Sequence, residues 1–296
     1  MGHRRVSDTQ TIDPAAGFVT PGRSLGLIEV FRRRYLLNLL VHKELRVRYR
    51  GSFLGMLWSY AKPATQFLVF FFAIGVFMQM NRNIPNYVIY MFAGVVVINY
   101  FSEAFGNCTR SLVGNQDLVK KIYLPRQLFP CSSVVVAIIH FAPQVLILLV
   151  GALVCGWRPG LWNIVAVLGG FVIVTVFALG LGLLGAALNV LYRDMENFVD
   201  LILMMATWIS PVLYKADMVE RVIGGTGWMV LYNLNPLTPA VELFHYGFWS
   251  PTRGITEGAT PHLVMWSFIA LAVSFVFLLL GEATFRHFDG RFAQEL

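Results

Sequence analysis

Along the chain, apolar positions gather into stretches of about 20 residues, each the length a helix needs to cross a hydrocarbon core of roughly 30 Å. Six such stretches predict spanning helices at 63–80, 87–106, 131–155, 161–192, 198–213 and 262–285. They are apolar on every face, whereas barrel strands alternate over about 10 residues, so the spans are helical. Ahead of the first span, Leu27, Ile28, Phe31, Tyr35, Leu39 and His42 recur at spacings of three and four among Arg32, Arg33, Arg34, Lys43, Arg46 and Arg48. That pattern predicts an amphipathic helix in the membrane interface with its cations at the headgroups; a soluble partner helix is the alternative.

Two connections carry structure of their own. In the segment 109–129 a short amphipathic helix is expected before Pro125, with Leu118, Val119 and Ile122 facing one way and Lys120 and Lys121 another. It suits a small docking surface, although such helices also serve as plain interfacial connectors. In the segment 214–261 two apolar pieces too short to span flank Asn235-Pro236, the pattern of a re-entrant or interfacial helical hairpin in the outer leaflet. The expected fold is an all-α integral membrane protein. It has a cytoplasmic N-terminal segment 1–62, a six-span domain 63–285 and a cytoplasmic tail 286–296.

Composition agrees with the pattern. Of 296 residues, 57% are hydrophobic and 13% charged, with mean hydropathy +0.64, against about 25% charged in soluble domains. The +7 net charge is informative through its placement. Eleven cations precede the first span: Arg4, Arg5, Arg23, Arg32, Arg33, Arg34, Lys43, Arg46, Arg48, Arg50 and Lys62. Alternating six spans puts eighteen Lys and Arg inside and five (Arg82, Arg158, Lys215, Arg221, Arg253) outside, which orients both termini to the cytoplasm. No apolar core with a small-residue cleavage site is evident near the N-terminus, so it is expected to stay inside and uncleaved. With the charge explained by orientation, nucleic acid is not an expected partner.

No catalytic constellation stands out. The histidines form no metal-spaced pair, and the cysteines suggest no framework, since Cys131 and Cys155 would sit about 36 Å apart on one helix. Gly180-Leu181-Gly182-Leu183-Leu184-Gly185 matches GxGxxG but lies inside an apolar helix, so Gly182, Gly185, Ala186 and Ala187 are read as a close helix-packing face. No GxxxxGK[ST] loop occurs, so ATP-driven work needs a second polypeptide. Glu103 and Glu282 are the acids nearest the membrane interior, close to span ends, where a structural role is favoured over a proton pathway. Phe70, Tyr87, Tyr90, Trp208, Tyr214, Trp228 and Tyr232 gather towards the outer ends. They serve either as an interfacial belt or as platforms that stack on sugar rings in a conduit.

Three ordered segments carry a resemblance. They are Arg48-Tyr49-Arg50-Gly51-Ser52-Phe53-Leu54-Gly55-Met56-Leu57-Trp58-Ser59 with Lys62-Pro63; Ser111-Leu112-Val113 through Leu118-Val119-Lys120-Lys121-Ile122-Tyr123-Leu124-Pro125-Arg126; and Leu188-Asn189-Val190-Leu191-Tyr192-Arg193-Asp194 through Ser210-Pro211-Val212-Leu213-Tyr214 to Asn235-Pro236-Leu237-Thr238-Pro239. Together the chain resembles the permease subunits of bacterial polysaccharide-exporting ABC transporters, the type-2 exporters of O-antigen, teichoic acid, capsule and cell-wall galactan. The resemblance implies a homodimeric permease with two copies of a separate ATPase subunit, which would carry ATP and Mg, exporting a lipid-linked polysaccharide. It further implies that Asn115, Gln116, Asp117, Leu118, Val119, Lys120 and Lys121 couple to the ATPase. The lipid pyrophosphate would meet Arg32, Arg33, Arg34, Arg46, Arg48 and Arg50. A permease for a small amphiphile or drug, a membrane glycosyltransferase or polymerase, and a passive channel or scaffold are the competing readings.

Overall fold

The computed structural model describes residues 26–53, 55–121, 124–252, 260 and 262–296, and every regular element among them is helical. Expectations resting on Arg4, Arg5, Arg23, Leu54, Ile122, Tyr123, Arg253 and Pro261 lie outside the described residues.

The basic segment before the first span forms two helices, α1 (Leu27–Arg32) and α2 (Arg34–Tyr49). A non-helical Arg33 (φ −101°, ψ 43°) separates them, so the predicted stripe does not run along one continuous helix. Ile28, Tyr35 and Leu39 are exposed, while Val30, Leu40 and Val41 are buried. Ile28, Tyr35, Leu39 and His42 of the sequence stripe therefore face outward, Leu27 packs inward, and an interleaved set holds α2 against the protein. Glu44 fixes the contact further, accepting from Ser132 and Ser133 at 3.4 Å each. Its carboxyl is pushed above the usual range by burial, against the opposing pull of Arg48, both serine hydroxyls and Lys43.

A 3₁₀ turn (Gly55–Leu57) leads into α3 (Trp58–Phe70), which ends in π-helical turns (Phe71–Phe77). A short α4 (Met80–Asn83) precedes α5 (Tyr87–Arg110), and α6 (Gln116–Lys121) follows a 3₁₀ turn at Val113–Asn115. Then come the long α7 (Leu128–Val154) and α8 (Leu161–Leu191), followed by α9 (Met195–Ile209). The shorter α10 (Ala216–Ile223), α11 (Gly227–Leu234) and α12 (Leu237–Phe244) lead to α13 (Leu263–Phe288) and α14 (Phe292–Glu295).

Among the described residues, five helical stretches are long and apolar enough to cross a membrane: Gly55–Phe77, Tyr87–Arg110, Leu128–Val154, Leu161–Leu191 and Leu263–Arg291. The predicted span 198–213 is instead the 15-residue α9, about 22 Å long and short of a full crossing by itself. The stop has a local cause: Pro211 has no N–H to donate, and Ser210 before it is extended (φ −99°, ψ 154°). The Asn235-Pro236 break separates unlike pieces. Every residue of α12 is buried, whereas α11 buries none.

α5 is the centre of the bundle, 72% buried over its most apolar window against 6% for the Gly55–Phe77 stretch at the periphery. It packs on α7, α8, α9 and α12, and α8 packs most closely on α13. The glycines of the GxGxxG match explain these approaches. A Cβ at Gly180 would fall 2.5 Å from the Leu278 nitrogen on α13, and one at Gly185 would fall 2.5 Å from Thr109 Oγ1 on α5. Gly182 faces Cys108 in the same way. Gly180 lets α8 meet the α13 backbone, and Gly182 and Gly185 make room for the Cys108 and Thr109 side chains of α5. A second apolar cluster closes the basic end, with Val30, Leu40, Leu112, Val119, Phe129, Phe285 and Phe292 among its members.

Candidate functional site

A stripe of polar side chains recurs at helical spacing along α5: Asn99, Ser102, Glu103, Asn107 and Arg110. All five line one cavity of ≈ 1170 Å³, which is also walled by Arg48, Thr65 and Gln66, by Gln144 of α7, and by Asp200, Leu203, Met204 and Thr207 of α9. Trp58, Phe70 and Trp208 complete it with aromatic surface. Phe70 and Trp208 meet edge to face at 6.1 Å. Polar side chains on otherwise apolar helices are expensive unless they face a partner or a water-accessible space, and this cavity gives them one.

At one place on the wall the charges are knitted together. Arg48 Nη1 donates to Glu103 Oε1 at 2.7 Å, and the same oxygen lies 2.5 Å from Nδ1 of the buried His140. With Nδ1 donating to Glu103, Nε2 is left to accept from Tyr49 at 2.6 Å, whose oxygen then accepts from Ser59 at 2.7 Å. The network ties α2, α3, α5 and α7 together beside the cavity. Glu103 thus has a structural partner set and a place on the cavity wall at once. Glu282 is structural, its Oε1 accepting from the Leu27 amide at 3.3 Å. Further along the wall Arg110 reaches α9, donating to Asp200 at 2.6 Å and to Glu196 at 3.3 Å. Asn189 holds Glu196 from the other side at 3.1 Å.

The aromatic residues singled out from sequence divide. Phe70 and Trp208 are on the cavity wall. Tyr87 and Tyr90 are buried and do not line it, a correction to their expected placement in a pathway. The Tyr87 hydroxyl donates to Leu213 O at 3.0 Å, and that of Tyr90 to Tyr214 O at 2.9 Å. Tyr90 also stacks on His245 at 3.7 Å. These tyrosines clamp the turn after α9, because a buried phenol needs an acceptor and the carbonyls of this non-helical turn supply it. Tyr214 donates back to Trp208 O at 2.7 Å. Trp228 is exposed on α11, and Tyr232, on the same helix, has an enclosed hydroxyl. Neither touches the cavity.

The cations divide as well. Arg33 pairs with Glu29 at 2.8 Å, Arg32, Arg34, Arg46 and Arg50 are exposed, and Arg48 turns to the cavity. Of the six, Arg48 alone lines the cavity. In the 115–121 segment Gln116, Asp117, Lys120 and Lys121 are exposed, Asn115 and Leu118 are half-buried, and Val119 is buried. Leu118 and Val119 pack into the apolar cluster at the basic end, so the outward face of α6 is polar. Of the seven residues expected to couple, Leu118 and Val119 thus pack on their own chain. Asn115 accepts from Lys43 Nζ of α2 and donates to Ser111 O at 2.8 Å, which links this segment to the helix that carries Arg48.

The sequence reading missed Arg110, Asp200, Asn99, Gln144 and His140 as cavity-wall or network residues. The signal was available in the three- and four-residue spacing of polar positions along α5 and in His140 and Gln144 one turn apart on α7.

The profile of the family described as ABC-2 type transporter matches residues 35–249. The O-antigen export system permease protein RfbA of Klebsiella pneumoniae is 30% identical over 274 residues, covering 88% of this chain and 96% of that protein. A protein of the same name from Myxococcus xanthus is 30% identical over 268 residues, covering 90% and 98%. The polysialic acid transport protein KpsM of Escherichia coli is 19% identical over 249 residues, covering 82% and 90%.

Proposed function

The chain belongs to the ABC-2 type transporter family as the multi-pass permease subunit of a polysaccharide exporter, and from that premise we propose that it moves a lipid-linked polysaccharide outward along the cavity between α3, α5 and α9. The observation that carries the pathway is the cavity itself, large, polar along α5 and faced by Trp58, Phe70 and Trp208. A sugar polymer presents hydroxyls at its edges and apolar C–H surfaces on its ring faces. Aromatic side chains hold those faces weakly and repeatedly, and polar side chains replace water at the edges, so the chain is held without being trapped.

In this reading two copies of the permease face one another, their peripheral α3 and α9 surfaces enclosing the path. Two copies of a separate ATPase subunit bind at the basic end, supplying ATP hydrolysis with Mg²⁺. The polar face of α6, with Gln116, Asp117, Lys120 and Lys121, is the docking surface. The Lys43–Asn115 contact passes its displacement to α2 and thereby to Arg48 at the cavity wall. The exposed Ile28, Tyr35 and Leu39 rest in the cytoplasmic leaflet of the inner membrane, with Arg32, Arg33, Arg34, Arg46 and Arg50 at the headgroups near the lipid pyrophosphate. Both termini are cytoplasmic, and α9 together with the turn after it makes the sixth crossing. α11 and α12 form the re-entrant pair on the outer side.

The test is reconstitution with the candidate ATPase in lipid vesicles loaded with lipid-linked polysaccharide. The reading predicts ATP-dependent movement of the polymer across the bilayer. Stimulation by small amphiphiles alone, without polymer movement, would overturn it in favour of a drug-type permease.

A further inference from the structure

The cavity holds two amides whose hydrogen-bonding capacity is unmet within the chain. Gln144 is 6% exposed. Its Nε2 donates to His140 O at 3.3 Å, one turn back on α7, while its Oε1 is enclosed with no partner. On α5 the Nδ2 of Asn99 is likewise enclosed without an acceptor. Both residues line the cavity that Trp58, Phe70 and Trp208 face. Eight side-chain atoms among the described residues are enclosed without a partner, and of their residues only Asn99 and Gln144 line the cavity, where a turn of each amide lets a ligand supply the missing partner.

One unmet atom is a donor and the other an acceptor. A hydroxyl group is both, and adjacent hydroxyls on a sugar ring offer the two functions side by side. The amides are also neutral. Charge-assisted bonds to a sugar would be roughly twice as strong as neutral ones and would slow a polymer that has to keep moving, whereas amide–hydroxyl bonds are weak enough to exchange unit by unit.

We propose that Asn99 and Gln144 are a hydroxyl-reading point of the translocation path, where each sugar unit exchanges hydrogen bonds with the two amides while its ring face passes the aromatic wall. The proposal rests on the polysaccharide-export reading and adds to it a place where the sugar edge is sensed. A site built to bond a hydroxyl discriminates against units that lack one, so these positions also contribute to which polymer is accepted.

The experiment uses the full permease with its ATPase in nanodiscs and, as probe, the lipid-linked polysaccharide extracted from the host bacterium. ATP hydrolysis is followed against polymer concentration for wild type and for Asn99→Leu/Gln144→Leu. The expected result is a rise of about tenfold in the half-maximal polymer concentration, with an unfolding temperature that holds or rises because unmet polar atoms have been removed. An unchanged half-maximal concentration in the folded double variant overturns the proposal, leaving the amides to water. If the double variant fails to fold, the single apolar change Gln144→Met carries the same test with the same two outcomes. Absence of any polymer response in wild type would instead bring down the export reading, and the proposal with it.

Discussion

Arg110 at the end of α5 and Asp200 on α9 are joined by a 2.6 Å ion pair between two walls of the same cavity. α9 has few other anchors near this end. It buries only Val199, Ala206 and Thr207, and its far end runs into the extended Ser210-Pro211 break. Arg110 and the carboxylates it meets are all well exposed, so the tie is worth at most about 1 kcal/mol. Arg110→Gln should therefore leave the unfolding temperature almost unchanged while loosening the helix it holds. Hydrogen exchange is expected to quicken over residues 196–204 and to stay constant in α5. Equal protection in variant and wild type would show that packing alone positions α9.

The glycines of α8 give a contrast between positions that look alike in sequence. Gly182→Ala and Gly185→Ala push a methyl group into Cys108 and Thr109 of α5, and overpacking of this kind costs about 1–3 kcal/mol. Gly114→Ala meets nothing within 4 Å and should be neutral. Thermal unfolding in detergent, read on the three variants side by side, checks the ranking.

In the 115–121 segment the structure separates substitutions that break the fold from those that alter a surface. Val119→Asp would bury a charge in the apolar cluster at the basic end, so the protein should fail to accumulate. Lys120→Glu/Lys121→Glu alters only the exposed face of α6. It is expected to leave the permease folded while abolishing co-purification with the ATPase and polymer-stimulated hydrolysis. Normal association of this variant would remove α6 from the docking surface.

Glu44 supplies a pH dependence of known sign. Burial lifts its folded-state pKa above the usual 4.5, so the folded protein holds this proton more tightly than the unfolded chain does. The resulting stability is fully present below 4.5 and is lost as pH climbs through the folded value. Glu44→Gln removes the term. Measured relative to that variant, the unfolding temperature of wild type should fall as pH is raised from 4.5 towards neutrality; a flat difference would mean that Ser132, Ser133 and nearby cations fully compensate burial.

Helix positions were legible because spanning segments must be apolar over a full membrane thickness, and four predicted spans match long helices within a few residues. The fate of 198–213 was less legible, since Ser210-Pro211 lies inside an apolar run and its effect is local. The α8 glycines were read correctly as packing residues because the absent strand context excluded a phosphate loop. The aromatic group was harder to sort. Trp208 and Tyr90 carry the same compositional signal, and only the fold shows that one faces a cavity while the other hydrogen-bonds to carbonyls of the turn after α9. For the same reason Val119 looked like a docking residue. An apolar stripe on a short helix does not say whether it packs on its own chain or on a partner.

The central claim is that the polymer passes between α3, α5 and α9, and photocrosslinking tests it most directly. A photoreactive amino acid would replace Trp208 on the cavity wall or Phe268, exposed on α13, in permease bound to a hydrolysis-deficient ATPase that holds polymer in transit. Polysaccharide adducts are predicted at position 208 and not at 268. Labelling at both positions alike, or none at 208 while the wild-type complex exports polymer, would contradict the account.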